Sequence, residues 1–566
     1  MNKLKDLTPK KIKNMSLAEL TSLASDIRSF LIETINLTGG HLSPNLGVVE
    51  LTIALHYVFD SPNDQIIFDI GHQAYTHKIL TERAEGFHKL RQKDGVSGFT
   101  SYEESAHDVW ESGHAGTALS ALMGVLYSNK IDKVNNHAVA VIGDGALSSG
   151  MSLEALNLIS YHHLPGIIVI NNNKMSISKS VGKISEILNG DYQTKHAFFE
   201  KLGYNFLEVN DGHDLNNLIE TFKQAKEEQK PVIILVNTIK GKGFKKAEAD
   251  QVGTYHMISS KKSKLPTWSQ VVSQLILDIQ EEIPTMVVVP AMEVGSHLSD
   301  FRKAYPKRYL DVGISEEHAA TMAAALAKNN KNVILSLYST FSQRAFDQIL
   351  NDIARPSLGV FITIDRAGLI AGDGDTHQGI YDVSMFNLMP NTYIASPSNI
   401  QEAADLIRFG LKLNKPFIMR YPKGLVSEKT NYTKRDITHG WNQVLSGSDL
   451  NIIASGPLVN KIKNLAITNN LSINLYNALF VKPIDYQMLS KVFKNEKPIL
   501  VIEENINVGS LYPEILRYKE AMNYESKVID HSLNDLLIPH LNELELYEFA
   551  SFDDESLVQL IKHAIR

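Results

Sequence analysis

The sequence predicts an α/β protein of three domains with mainly parallel sheets flanked by helices, and three observations predict it. Short β-rich apolar runs alternate with longer helical patterns along the chain. That alternation restarts near residue 286 and again in the last third. The length, 566 residues, exceeds what one hydrophobic core organises at about 150 residues per domain.

The elements follow in order. In the first domain, 1–260, the run 139–142 (VAVI) reads as a buried strand and GDGALSSG as the loop after it. Residues 151–160 read as a helix, 167–170 (IIVI) as the next strand, and the NNN that follows as its loop. In the second domain, 265–428, a strand near 286 is followed by strands at 333–337 and 360–364, with a helix at 341–353 between the last two. In the third, 435–566, strands fall at 450–454, 473–476 and 498–502. The polar stretches 259–264 and 427–436 read as linkers. No internal repeat or low-complexity segment interrupts this plan.

Composition narrows the function classes. Apolar residues make up 43%, charged residues 21%, and the net charge is −7, which is ordinary globular composition without the basic footprint of a nucleic-acid binder. Apolar runs such as 286–289 are far shorter than a membrane span. The Lys-rich start, MNKLKDLTPKKIKNMS, has no signal-peptide core after it and reads as a solvated tail. There is no cysteine, so disulfides and thiolate metal sites are excluded, which fits a cytoplasmic protein.

The chemistry begins at Gly143–Gly145, a GDG sequence followed by NNNKMSIS from Asn171. Asp144 and Asn173 each stand where a strand ends, and ligands of open parallel sheets bind beyond such ends. A carboxylate, an amide oxygen and a loop carbonyl are hard ligands suited to Mg²⁺ and the phosphates it carries. The glycines let backbone approach a diphosphate, and the next helix offers its N-terminal N–H groups. Asp–Gly alone is equally a turn signal; the helix, strand and Asn run that follow give it its specificity. Glu316, in DVGISEEHAA at a strand–helix junction, is a second candidate acid. A Glu in a first helical turn is also favoured simply by the helix dipole.

The neighbouring motifs decide between these readings. GGHLSPNLGVVELTIALH, DIGHQAYTHKIL, YSTFSQRAFDQ and DRAGLIAGDGDTHQG, and more thinly RYPKG, FVKPID and VIEEN, resemble the 1-deoxy-D-xylulose-5-phosphate synthase family. The resemblance implies a thiamine-diphosphate-binding, transketolase-like fold whose first domain binds the diphosphate and whose second binds the pyrimidine, with the active site between them in one chain of a homodimer. It implies thiamine diphosphate and Mg²⁺ as cofactors, and pyruvate and D-glyceraldehyde 3-phosphate as substrates. Asp144, Asn173 and the Met175 carbonyl would hold the metal. Gly143, Gly145, Ala146, Lys240, His72, His114 and His256 would line the cofactor, Phe341 would stack on its pyrimidine, and Glu316 would activate it. His41, Tyr338, Arg344, Asp373 and His377 would surround the reacting carbons, while Arg366 and Arg420 would hold the acceptor phosphate. Cations suit phosphate and carboxylate, and imidazoles move protons near neutral pH.

The chain departs from the family pattern at three places. Ala115 and Gly116 in SGHAGT replace hydroxyl residues, Glu82 stands for a glycine, and the connector between 178 and 212 is shorter by several dozen residues. Three other readings stay open on sequence. A transketolase would use a ketose phosphate as donor, and a 2-oxoacid dehydrogenase component would acylate a lipoyl arm. A silent thiamine-diphosphate binder would have no use for Glu316 or His377.

Overall fold

The computed structural model describes residues 2–566 except 176–179, 251, 259–262, 427–431, 434–436 and 439. Both predicted linkers lie largely outside the described residues. Two compact units emerge, one of residues 1–262 with 312–315, the other of 263–311 with 316–566.

The first unit holds a five-stranded parallel sheet of β1 (Gln65–Phe68), β2 (Ala138–Gly143), β3 (Ile167–Asn172), β4 (Asn205–Val209) and β5 (Val232–Asn237), in the order β1-β2-β3-β5-β4. Its central strands β2, β3 and β5 are buried almost throughout because both faces are covered. Val139, Val141, Val169, Ile234 and Val236 pack with apolar residues of the helices Leu17–Thr38, Val49–Val58 and Leu215–Lys226. Their neighbours Ala138, Ala140, Ile142, Ile168, Ile170 and Leu235 share a second cluster with Ala118–Asp132, Gly150–Tyr161 and Tyr192–Lys201. Gly143 is registered opposite Asn171, so the GDG loop and the Asn run leave the same sheet edge side by side.

In the second unit the first sheet has seven strands. They are β6 (Thr285–Val289), β7 (Tyr309–Asp311), β8 (Asn332–Tyr338), β9 (Val360–Ala367), β10 (Tyr393–Ala395), β11 (Phe417–Pro422) and a late recruit described below. Another five-stranded sheet is built from β12 (Asn442–Leu445), β13 (Leu450–Ala454), β14 (Ile473–Asn477), β16 (Ile499–Ile506) and β17 (Val528–Leu533), in the order β12-β14-β13-β16-β17. Between β14 and β16 the chain lends β15 (Phe480–Lys482) to the seven-stranded sheet, antiparallel to β10.

One expectation needs correction and another needs refinement. The N-terminal stretch is no solvated tail: Leu4, Leu7 and Ile12 are buried in the first core, leaving lysines such as Lys5 and Lys10 at the surface. The amphipathic spacing outweighs the lysine content. The helix expected at 341–353 forms, as a succession of short α, 3₁₀ and π turns from Ser339 to Ala354. Ser342 donates its hydroxyl to the Ser339 carbonyl at 2.7 Å, the kind of local bond by which hydroxyl residues compete with helical hydrogen bonding. The shortened connector contains the helices Lys183–Leu188 and Tyr192–Lys201. Among the described residues, no helix is long and apolar enough to cross a membrane.

Candidate active site

In the first unit three imidazoles gather. The ring centroids of His41, His72 and His256 lie 5.3, 5.4 and 5.7 Å apart. His72 Nδ1 lies 2.9 Å from the Ile70 carbonyl, the geometry of an Nδ1–H donating to it. Burial pushes His72 down to about 4 and His256 well below the ordinary value. His72 and His256 are therefore neutral at physiological pH, able both to give and to accept hydrogen bonds. Ile70, just before Gly71, has φ 47, a left-handed conformation that a β-branched residue adopts only under constraint. A Cβ on Gly71 would lie 2.4 Å from the Thr100 amide nitrogen, so the close approach requires glycine.

Asp144 opens a short helix directly after β2 and is 2% exposed. Burial raises its carboxyl to about 6, against hydrogen bonds that include the Ser180 hydroxyl at 3.0 Å. Its other oxygen, Oδ1, is buried without a hydrogen-bond partner among the described residues. Nearby, Asn173 Oδ1 accepts the Met175 N–H at 3.0 Å. Lys240 is pushed down to about 8 by burial, with the Asp144 charge opposing. A bare buried carboxylate oxygen, an amide and a buried ammonium fit a metal-bound diphosphate.

The departures from the family pattern have physical accounts. The Asp69 carboxylate accepts the Gly116 and Ala118 N–H groups at about 3 Å. Gly116 has φ 87, and a Cβ there would lie 2.3 Å from the Ser149 hydroxyl. The loop carrying His114 is thus held by its own backbone donors on Asp69 and by hydroxyls from outside positions 115 and 116, the Ser112 hydroxyl donating to the His114 carbonyl at 3.1 Å. Glu82 takes φ 70, the left-handed form glycine enters freely, at a cost of roughly 1 kcal/mol.

In the second unit Glu316 begins the helix Glu316–Lys328 and is 4% exposed. Burial raises its carboxyl to about 7, opposed by Arg344, whose Nη1 lies 3.7 Å from Oε2. Tyr338 and Phe341 stack with centroids 5.6 Å apart, and His377 meets Phe341 edge-on at 5.7 Å. The Arg366 guanidinium lies 4.2 Å from the centre of the Tyr338 ring. Asp373 is buried and paired with Lys423 at 3.0 Å. Arg420, on β11, is engaged through Nε and Nη2 by Asp382 and Asn505. It is thus anchored deep in the unit, with no contact to Arg366 among its hydrogen bonds. Lys423, Asp69 and Ser180 are contributors that the sequence reading passed over, although Lys423 lies inside RYPKG and Asp69 opens DIGHQ.

Fold and site together define a transketolase-class α/β enzyme. The sequence profile described as 1-deoxy-D-xylulose-5-phosphate synthase matches residues 4–197 and 190–238. Those of the transketolase pyrimidine-binding and C-terminal domains match 264–429 and 440–557. A 1-deoxy-D-xylulose-5-phosphate synthase from Listeria monocytogenes is 40% identical over all of this chain and 97% of its own length. Homologues of the same name from Lysinibacillus sphaericus and a Geobacillus species are each 38% identical, covering 96% and 100% of this chain and 95% and 99% of their own. The chain belongs to the 1-deoxy-D-xylulose-5-phosphate synthase family.

Proposed function

We propose that this protein decarboxylates pyruvate on thiamine diphosphate and joins the two-carbon unit to D-glyceraldehyde 3-phosphate. The products are 1-deoxy-D-xylulose 5-phosphate and CO₂. This is the first step of the non-mevalonate isoprenoid pathway, and it also feeds thiamine and pyridoxal synthesis. The observation that carries the assignment is Glu316, a buried carboxyl poised at about 7 whose Oε2 faces Arg344 at 3.7 Å and has no hydrogen-bond partner among the described residues.

Thiamine diphosphate, when bound, supplies the carbon nucleophile and the electron sink. Glu316 holds a proton at neutral pH for the pyrimidine nitrogen, and Phe341 offers a stacking face. Asp144, Asn173 and the Met175 carbonyl are assigned to Mg²⁺; the backbone of Gly143–Ala146, Lys240, His72, His114 and His256 are assigned to the cofactor. His41, Tyr338, Arg344, Asp373 and His377 are assigned to the reacting carbons of both substrates, with Arg366 and Arg420 on the acceptor phosphate. Arg420 Nη1, which makes no hydrogen bond to a described residue, is the atom left for that contact. A homodimer, a cytoplasmic location and a division at 1–260, 265–428 and 435–566 complete the reading; each sheet draws on one such span, β15 excepted.

Incubating the purified protein with Mg²⁺, thiamine diphosphate, pyruvate and D-glyceraldehyde 3-phosphate should yield 1-deoxy-D-xylulose 5-phosphate. Xylulose 5-phosphate as the preferred donor, or acylation of a lipoyl domain, would replace the assignment. Arg420→Ala should weaken apparent acceptor affinity on the order of 10- to 150-fold, with little change for pyruvate or for non-phosphorylated glyceraldehyde. Equal losses for both aldehydes would reduce Arg420 to its structural bond with Asp382.

A further inference from the structure

The loop after β6, residues 290–298, is used by none of the roles above. Its glycine and serine stand against residues that are. A Cβ on Gly295 would lie 2.0 Å from the Tyr338 hydroxyl oxygen, so the position admits only glycine while that ring stays in place. Next in the chain, Ser296 is 4% exposed and its hydroxyl has no hydrogen-bond partner among the described residues. The Tyr338 hydroxyl, 2% exposed, has Arg366 as its polar neighbour and no hydrogen bond of ordinary geometry among the described residues. His297 follows, and the charge of Arg366 reinforces the effect of burial in lowering its basicity. One turn of chain therefore touches the Tyr338 hydroxyl at one residue and feels Arg366 two residues later.

Buried hydroxyls are almost always satisfied, and an orphan marks a missing ligand or water. Two such hydroxyls, one of them on the ring that carries the Arg366 guanidinium at 4.2 Å, have the chemistry of an anion site: a fixed cation and two donors whose hydrogens rotate to suit. We propose that Ser296 is a further substrate-binding residue, its hydroxyl donating a hydrogen bond to an anionic oxygen of the phosphorylated acceptor beside Arg366. The inference rests on the assignment of Arg366 and Tyr338 to substrate made above.

Ser296→Ala removes a donor that has no partner among the described residues. It should therefore leave the melting temperature of the cofactor-loaded enzyme unchanged or slightly raised, where a structural hydroxyl would lower it. KM for D-glyceraldehyde 3-phosphate should rise on the order of 10-fold, while KM for pyruvate and the rate with D-glyceraldehyde hold within about twofold. Inorganic phosphate, used as a competitor of the acceptor, should inhibit the variant less strongly by a similar factor. A fall in melting temperature, an equal loss for both aldehydes, a loss confined to pyruvate, or no loss at all overturns the proposal. Arg366→Ala separates the two levels of the argument. If it leaves acceptor KM unaltered, the phosphate assignment itself fails; if it raises acceptor KM while Ser296→Ala does not, only the role of Ser296 fails.

Discussion

Two buried aspartates of the first unit, Asp108 and Asp144, are equally hidden from solvent and treated in opposite ways. Asp108 is saturated. Arg83 reaches both of its oxygens at 2.7 Å, His77 Nε2 lies 3.0 Å from Oδ1, and the Ser101 N–H donates at 2.8 Å. Burial would raise its carboxyl, but His77 and Arg83 hold it well below the usual carboxylate range. His77 in turn meets His56, while Lys78 and Arg83 share Glu104. Asp144 keeps one oxygen bare and is pushed up to about 6. A carboxylate whose hydrogen-bonding capacity is filled by the protein holds the protein together; one left under-filled is held ready for something else. Glu316 belongs with Asp144, raised by burial, its Oε2 meeting only the Arg344 guanidinium at the long distance of 3.7 Å.

Substitutions can break this contrast. The largest effect is expected at Glu316. Glu316→Gln keeps the volume and removes the transferable proton, so turnover should fall by about 10²–10⁴-fold while the fold and cofactor retention persist. Activity within a few-fold of the parent would make Glu316 a helix-start residue and nothing more. Next comes Asp108→Ala, which strands Arg83 and His77 without their shared anion. Removing one partner of such a buried pair costs about 3–5 kcal/mol, readable as a lower urea midpoint. A loss under 1 kcal/mol would show that the network is decorative.

The bare acids also predict a pH signature. The carboxyl of Glu316 sits at about 7 in the folded protein against an ordinary 4.5, so the folded state binds the proton more tightly than the unfolded one. Its contribution is fully present below pH 4.5 and fades as pH rises towards 7, by about 3 kcal/mol at 1.36 kcal/mol per pKa unit. Cofactor-free Glu316→Gln should therefore gain stability relative to the parent at pH 8 but not at pH 4.5. A pH-independent difference would remove Glu316 from the class of under-filled acids. The smallest stability effect is expected at Asp144. Asp144→Ala should leave the cofactor-free melting point within a few degrees, yet titration calorimetry should show much weaker binding of thiamine diphosphate with Mg²⁺. Unchanged affinity would make GDG a turn.

How far the sequence displays all this depends on the range of the interaction. Apolar runs such as 139–142, 333–337 and 450–454 are local, and each became a strand. β17, half-exposed along most of its length, and the three-residue β15 carry no such run. Asp144, Glu316 and His377 were legible because each sits inside a dense local motif. Asp108 and Ser296 were not. Nothing near Asp108 in sequence announces Arg83, 25 positions away, and Ser296 matters only because Gly295 abuts Tyr338. The changes of helix type between 339 and 354 accompany local contacts, such as the Ser342 hydroxyl's bond to the Ser339 carbonyl, that a periodicity count does not weigh.

β15 sets a limit on how this chain can be divided. Lys482 of that strand donates to the carbonyls of Asn387 and Met389 at 2.7 and 2.6 Å, and Phe480 packs edge-on against Phe409 and Phe417. A fragment ending near 430 would lose this lid and expose the ladder groups of β10 beside an uncovered aromatic patch, an invitation to strand-to-strand association. The last third is therefore not an exchangeable cassette. Swapping it with that of a relative should succeed only if the three residues of β15 travel with a matching β10, so the two regions are bound to change together.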